Sequence, residues 1–274
     1  MNRTVILLPV WLWLLVFVAL PVLIVAALSF STAVEGVPPF TPLLHDPDLS
    51  NYQTLTADTY YLDAGLKSLL VAGVSSVLCL LIGYPMALAI ARAPERWRSG
   101  LLLLVMLPFW TGFLLRVTAW IGLLRDEGWI NLALQAVGLP PLKLLYTTTA
   151  MYIGITYAYL PFMILPLYAR LSRRDPLLEE AAADLGASPW TAFRTVTLPL
   201  SLPGVAAGLA LVFIPAVGEY VIPELLGGPG AQTIGRALWN EFFANRDWPM
   251  ASALANALLL ALLIPMVLLR ARAR

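Results

Sequence analysis

Five stretches of this chain, Val5 to Phe30, Ser68 to Ala91, Thr147 to Ala169, Thr195 to Gly218 and Pro249 to Leu269, contain no charged side chain. Each is as long as the roughly 20 residues a helix needs to cross a hydrocarbon core about 30 Å thick. A sixth run, Leu101 to Leu124, is interrupted only by Arg116. Lipid offers the backbone no hydrogen-bond partner, so apolar runs of this length must satisfy their own N–H and C=O groups, and a helix does so. The expected fold class is therefore an all-α membrane protein with six transmembrane helices. Composition agrees, with 60% hydrophobic and 12% charged residues against about 45–50% and 25% in soluble domains. Arg3 precedes the first run as in a signal peptide, but the run far exceeds an h-region of about 7–15 residues and is read as a retained helix.

Arginine and lysine fall unevenly among the connecting segments, and that asymmetry orients a membrane protein. Arg3, Arg92, Arg96, Arg98, Arg170, Arg173, Arg174, Arg194, Arg270, Arg272 and Arg274 lie on one side; Lys67, Arg125, Lys143, Arg236 and Arg246 lie on the other. Both termini and the loops 92–99 and 170–194 are expected in the cytoplasm. The loops 31–67, 125–146 and 219–248 then face outward, with Trp129, Tyr146 and Trp248 suited to an interfacial aromatic belt. A Pro- and Asp-rich loop after the first run divides the chain into 1–63, one helix and its extracytoplasmic loop, and a five-helix core over 64–270.

Prolines 85, 108, 161, 166, 203, 215 and 265 lie within the runs, where neighbouring helices or cavity water must satisfy the carbonyls they free. Gly204 and Gly208 form a small-xxx-small pair that permits close helix approach, within the chain or against a partner subunit. Much chemistry is excluded. The net charge of +1 offers nucleic acid no electrostatic footing. Cys79 is the single cysteine and His45 the single histidine, so neither a disulfide nor a metal site is expected, and His45 reads as a solvated loop residue. No phosphate-binding G-x-x-x-x-G-K-[ST] loop, paired histidines or nucleophile elbow occurs, so this chain is not expected to be an enzyme.

One polar stretch stands apart. In "RRDPLLEEAAADLGASPWTAFRTVTLP", Asp175 can cap a helix that starts at Pro176, with Glu179 and Glu180 in its favoured first turns. Gly186 supplies a stop, and Ser188 followed by Pro189 starts a second segment. Three alanines keep this helix thin, while Leu177, Leu178 and Leu185 give it apolar side chains on an aqueous loop. Two readings stand: it docks into another protein, or it lies on its own bundle or on lipid.

From Glu180, Ala181 and Ala182 the stretch continues with three residues, Gly186, nine residues, Val196, one residue, Leu198 and Pro199. This resembles the EAA loop of ABC-importer permease subunits, with valine where the family more often shows isoleucine. The resemblance implies a type I importer permease fold, with the loop at about 175–199 docking in a cleft of the cytoplasmic ATPase. "YLDAGLKSLLVAGVSSVLCLLIGYPMALAIAR", "LPFWTGFLLRVTAWIGLLRDEGWIN" and "IGRALWNEFFANRDWPMASA" look like the spermidine/putrescine group, particularly its putrescine type. The implied partners are a second homologous permease, two ATP-binding subunits carrying ATP and magnesium, an extracytoplasmic polyamine-binding protein and membrane lipid. The implied location is the bacterial inner membrane, as a multi-pass protein. This chain itself carries no cofactor.

Ionisable groups within or beside the spans complete the inventory, because they are costly there. If the fifth span starts near Leu198, Glu219 lies about 30 Å along it, and Arg116 lies about 22 Å along the third span from Leu101. Either the two form an ion pair, or Glu219 and Glu224 offer carboxylates to an incoming polyamine, with Trp110, Trp120 and Tyr220 adding cation–π contacts. An importer of iron, sulfate or a phosphonate shares this architecture. A proton-coupled carrier using Glu219 is a different class, which would have no evident use for an EAA loop.

Overall fold

The computed structural model describes residues 3–34, 43–44 and 46–272, so His45 lies outside the described residues. The chain begins with α1 (Arg3–Leu14) and α2 (Leu20–Leu28), joined through a π-helical turn at Leu15–Ala19. It continues through α3 (Ser50–Ala57), α4 (Thr59–Arg92), α5 (Glu95–Trp110), α6 (Phe113–Leu124) and α7 (Trp129–Ala136). Then follow α8 (Thr148–Leu171), α9 (Leu177–Asp184), α10 (Pro189–Ala192) and α11 (Leu198–Val217), and finally α12 (Val221–Leu226), α13 (Ile234–Trp239) and α14 (Trp248–Arg272). No strand occurs among the described residues.

Among the described residues, five helical segments are long and apolar enough to span a membrane: Leu7–Leu28, Thr59–Arg92, Thr148–Leu171, Pro189–Val217 and Trp248–Pro265. The sixth run departs from expectation. It is not one straight helix over Leu101 to Leu124 but a broken pair, Glu95–Trp110 and Phe113–Ala136, bent by 90°. The cause is local. Pro108 sits in the last turn of α5 without an amide hydrogen, and Thr111 and Gly112 adopt extended ψ values of 143° and 141°. The Thr111 hydroxyl donates to the Pro108 carbonyl at 2.7 Å and holds the break. The distance of Arg116 from Leu101 is therefore not that of a continuous helix.

Contacts group the chain into two compact units. One runs from Lys67 to Gln232. Its centre is α8, where Met163, Ile164 and Leu167 are fully buried with Cys79, Tyr84, Ala87 and Ile90 of α4 and Val212 of α11. α11 crosses α8 closely. A Cβ on Gly208 would stand 2.6 Å from Met163 Sδ and 3.3 Å from the Met163 carbonyl, and one on Gly204 would stand 3.1 Å from the Pro166 carbonyl. The small-residue pair thus serves packing within the chain. The Tyr84 hydroxyl pairs with Ser201 Oγ at 2.8 Å in the same core.

The other unit combines the residues up to Leu66 with those from Thr233 onward. There α14 packs against α2 and α3, and the Asn51 amide donates to the Ser29 and Ser31 carbonyls at 3.0 and 2.9 Å. The last span thus packs with the first within this unit. Leu7 to Leu23 leave most of their apolar side chains exposed, as a lipid-facing helix does.

Candidate functional site

The 174–199 loop is a capped pair of helices. Asp175 Oδ1 accepts the Leu177 N–H at 3.0 Å and starts α9. Gly186, at φ +85°, ends it in the left-handed conformation that glycine adopts without penalty. The Gly186 N–H reaches the Ala183 carbonyl at 2.9 Å and the Ala187 N–H reaches Ala182 at 3.0 Å, the paired closure of a Schellman turn. Ser188 Oγ then accepts the Thr191 N–H at 3.2 Å, with Pro189 opening α10. Between α10 and α11 the backbone widens into a π-helical turn, Phe193–Thr197, just before Pro199. Pro199 has no N–H to return, and the wider turn absorbs that loss.

Glu180 and Ala181 are exposed on α9, Ala182 and Leu198 are half-buried, and Pro199 is exposed. Leu185 is 90% exposed, Trp190 69% and Leu177 64%. Trp190 stacks on Phe193 with centroids 5.4 Å apart. A cavity of about 500 Å³ opens here, lined by Arg92, Glu179, Ala183, Ala187, Trp190 and Phe193 among others. Leu185, Trp190 and Leu177 thus form an exposed apolar knob beside a recess.

The residue that fixes this knob is Glu179, which sequence reasoning placed only as a favourable first-turn acid. Its Oε1 accepts both the Arg174 guanidinium and the Thr197 hydroxyl, and Arg92 Nη2 approaches at 3.2 Å. Burial pushes its carboxyl up, but the Thr197 hydrogen bond and the Arg174 and Arg92 cations outweigh burial and hold it below the ordinary glutamate value. α9 is thereby tied to the end of α4 and to the turn before α11. The sequence signal was a glutamate five residues after an arginine, outside the usual three- or four-residue helical pairing.

The ionisable residues expected near the outer ends take different places. Glu219 is buried: the Tyr159 hydroxyl donates to its Oε2 at 2.5 Å, while its Oε1 accepts the Val221 and Ile222 N–H groups at 2.9 and 3.3 Å. It caps α12. Tyr220 precedes that helix and Glu224 lies in its first turn, both half-buried. Arg116 is elsewhere, over the rings of Phe109 and Phe113 at 5.3 and 5.5 Å, with Nε and Nη1 buried and without hydrogen-bond partners. No ion pair joins Arg116 to Glu219 among the described residues. Trp120 meets Tyr157 edge-on at 5.4 Å and lines a cavity of about 430 Å³ with Arg116, while Trp110 is largely exposed.

A family model described as "Binding-protein-dependent transport system inner membrane component" matches residues 4–272. The chain belongs to that family. Like other members, it is a non-enzymatic, multi-pass subunit of the inner membrane, with ATP hydrolysis assigned to a separate subunit. The permease is 40% identical over 256 residues to the spermidine/putrescine transport system permease protein PotB of Haemophilus influenzae, covering 92% of this chain and 88% of that one. To PotB of Escherichia coli strain K12 it is 37% identical over 243 residues, covering 88% and 86%. Its fold matches a crystal structure of a bacterial ABC transporter that imports the acidic polysaccharide alginate, with a TM-score of 0.70 at 21% identity over 98% of this chain and 95% of that one.

Proposed function

We propose that this permease is the membrane-spanning subunit of an ATP-driven polyamine importer, moving putrescine or spermidine into the cytoplasm. The observation that carries the reading is the 40% identity to a spermidine/putrescine permease over nearly the whole chain. The loop at 174–199 supports the importer mechanism. Its exposed leucines and Trp190 form an apolar knob, and Glu179 holds that knob rigidly to the bundle. A rigid contact transmits the closure of an ATPase pair to the spans, whereas a loosely tethered helix would dissipate it.

In this reading two ATP-binding subunits, supplying ATP and magnesium, dock on the knob from the cytoplasm, where both chain termini also lie. A second permease completes the pathway, and an extracytoplasmic binding protein delivers the polyamine to it. Glu219 acts by holding α12, while Tyr220, Glu224, Trp110 and Trp120 are the outer side chains that meet substrate. The two backbone amides and the tyrosine engaged by Glu219 give it a use as the cap of α12, and a proton-coupled carrier would have no evident use for the EAA loop.

The test is to reconstitute the complete transporter and ask which loaded binding protein stimulates its ATPase. Stimulation by a putrescine- or spermidine-loaded protein is the expected result. Stimulation only by an iron-, sulfate- or phosphonate-loaded protein would reassign the substrate.

A further inference from the structure

Glu241 is a buried carboxylate that pairs with no cation among the described residues. It is 8% exposed, its Oε1 accepts the Tyr61 hydroxyl at 2.8 Å, and its Oε2 accepts the Asn245 amide at 2.8 Å. Both donors are neutral, and no lysine or arginine among the described residues forms an ion pair with it. An ionised carboxylate offers about four acceptor positions, so two neutral donors leave capacity for more. Acidic side chains are rarely buried away from cations, and membrane proteins keep that arrangement where it serves a ligand or a partner.

The backbone around it is unusual. Glu241 sits in a π-helical turn, Asn240–Ala244, closed by the Asn245 N–H on the Asn240 carbonyl at 2.8 Å. Such turns recur at functional sites because the extra residue turns a side chain off the regular helix face. Two residues after Ala244, Arg246 holds φ +56°, a conformation that non-glycine residues rarely adopt and that is fixed here by the Asp247 N–H on the Glu241 carbonyl at 2.9 Å. The same turn presents aromatic side chains: Trp239 and Phe243 lie with centroids 4.0 Å apart, Phe242 stacks on Trp248 at 5.5 Å, and Phe243 is 54% exposed.

We infer that Glu241, held by Tyr61 and Asn245 and flanked by Trp239, Phe242 and Phe243, receives a primary ammonium group of the transported polyamine. This rests on the polyamine-importer reading. A compact ammonium with three donors can meet the acceptor positions that Tyr61 and Asn245 leave open on Glu241, and aromatic faces stabilise the same cation.

The experiment uses the assembled transporter with its ATPase and polyamine-binding protein in proteoliposomes. A photoactivatable diamine added during turnover should label residues 239–243 of the wild-type chain, and excess putrescine should displace it. Glu241→Gln should abolish that labelling and slow putrescine uptake about tenfold or more, the size of a lost charge-assisted hydrogen bond, with Glu241→Asp recovering part of the rate. Tyr61→Phe keeps the charge and should lose less. A wild-type transporter that moves putrescine without labelling 239–243 would overturn the site and leave the polyamine reading standing. A wild-type transporter that moves no polyamine would overturn both. Wild-type uptake by Glu241→Gln would also overturn the site, as would equal losses of uptake and melting temperature in Glu241→Gln and Tyr61→Phe. If Glu241→Gln does not assemble, labelling of the wild type decides.

Discussion

Replacing Glu179 by glutamine should loosen the docking knob without unfolding the bundle. Arg174, only 10% exposed, would keep the Thr197 hydroxyl at 2.7 Å and lose its carboxylate. A hydrogen bond to a charged group contributes about 1.5–3 kcal/mol. Arg92 is 52% exposed, so its share is at most about 1 kcal/mol after solvent screening. A net loss of about 2–3 kcal/mol corresponds to a thirtyfold to hundredfold rise, roughly, in the population with α9 detached. Amide hydrogen exchange across Leu177 to Leu185 in nanodiscs reads that population directly, and it should quicken by about that factor while α8 stays protected. Adding Arg174→Gln should recover part of the loss by removing the stranded cation. The pH dependence has a fixed sign. Because the folded carboxyl lies below its ordinary value, the contribution is fully present above about pH 4.3 and is lost as pH falls through the depressed folded value. Wild-type α9 should therefore show an acid-side loss of protection that Glu179→Gln lacks. Unchanged exchange in the variant at neutral pH would refute the anchoring role.

Gly208→Leu should destabilise the permease by about 2–3 kcal/mol through overpacking against Met163, read as a lower melting temperature of the isolated chain. A normally folded variant that fails to co-purify with a second permease would instead place Gly208 at a subunit contact. Gly186→Leu forces a side chain to φ +85°, at a cost of about 1–2 kcal/mol. It should abolish binding-protein-stimulated ATP hydrolysis with the chain still inserted, and normal transport would contradict the docking assignment. With Cys79→Ser as background, Ser188→Cys should react with an impermeant thiol reagent only from the cytoplasm and Asn51→Cys only from outside. Labelling of Ser188→Cys from outside intact cells would overturn the orientation.

Much of this architecture was legible because lipid permits so few solutions. Uncharged runs of about 20 residues must be helices, and the start and stop signals at Asp175, Gly186 and Ser188 are local chemistry that the structure follows, with the helix beginning at Leu177 rather than Pro176. What was not legible depended on direction and on long-range contact. Pro108 read as one of several prolines tolerated within apolar runs, yet with Thr111 and Gly112 it turns the chain by 90°, which removes the straight-helix distance behind the Arg116–Glu219 pairing. Glu219 looked like a membrane-embedded charge in search of a cation; its nearest requirement was two residues away, in the open N–H groups of a six-residue helix. Gly204 and Gly208 left intrachain and intersubunit packing open until Met163 and Pro166 were seen beneath them. The anchoring role of Glu179, read only as a first-turn acid, and the burial of Glu241 were not legible because their partners Thr197 and Tyr61 are 18 and 180 residues away.

ATP-driven accumulation of labelled putrescine in proteoliposomes, using this permease with its second permease, its ATPase and the loaded binding protein, decides whether the chain serves an ATP-powered polyamine importer. Accumulation against a gradient should require hydrolysable ATP, persist when the proton gradient is collapsed, and stop when the ATPase is withheld. Accumulation that survives without ATP and vanishes with the proton gradient would contradict the importer reading.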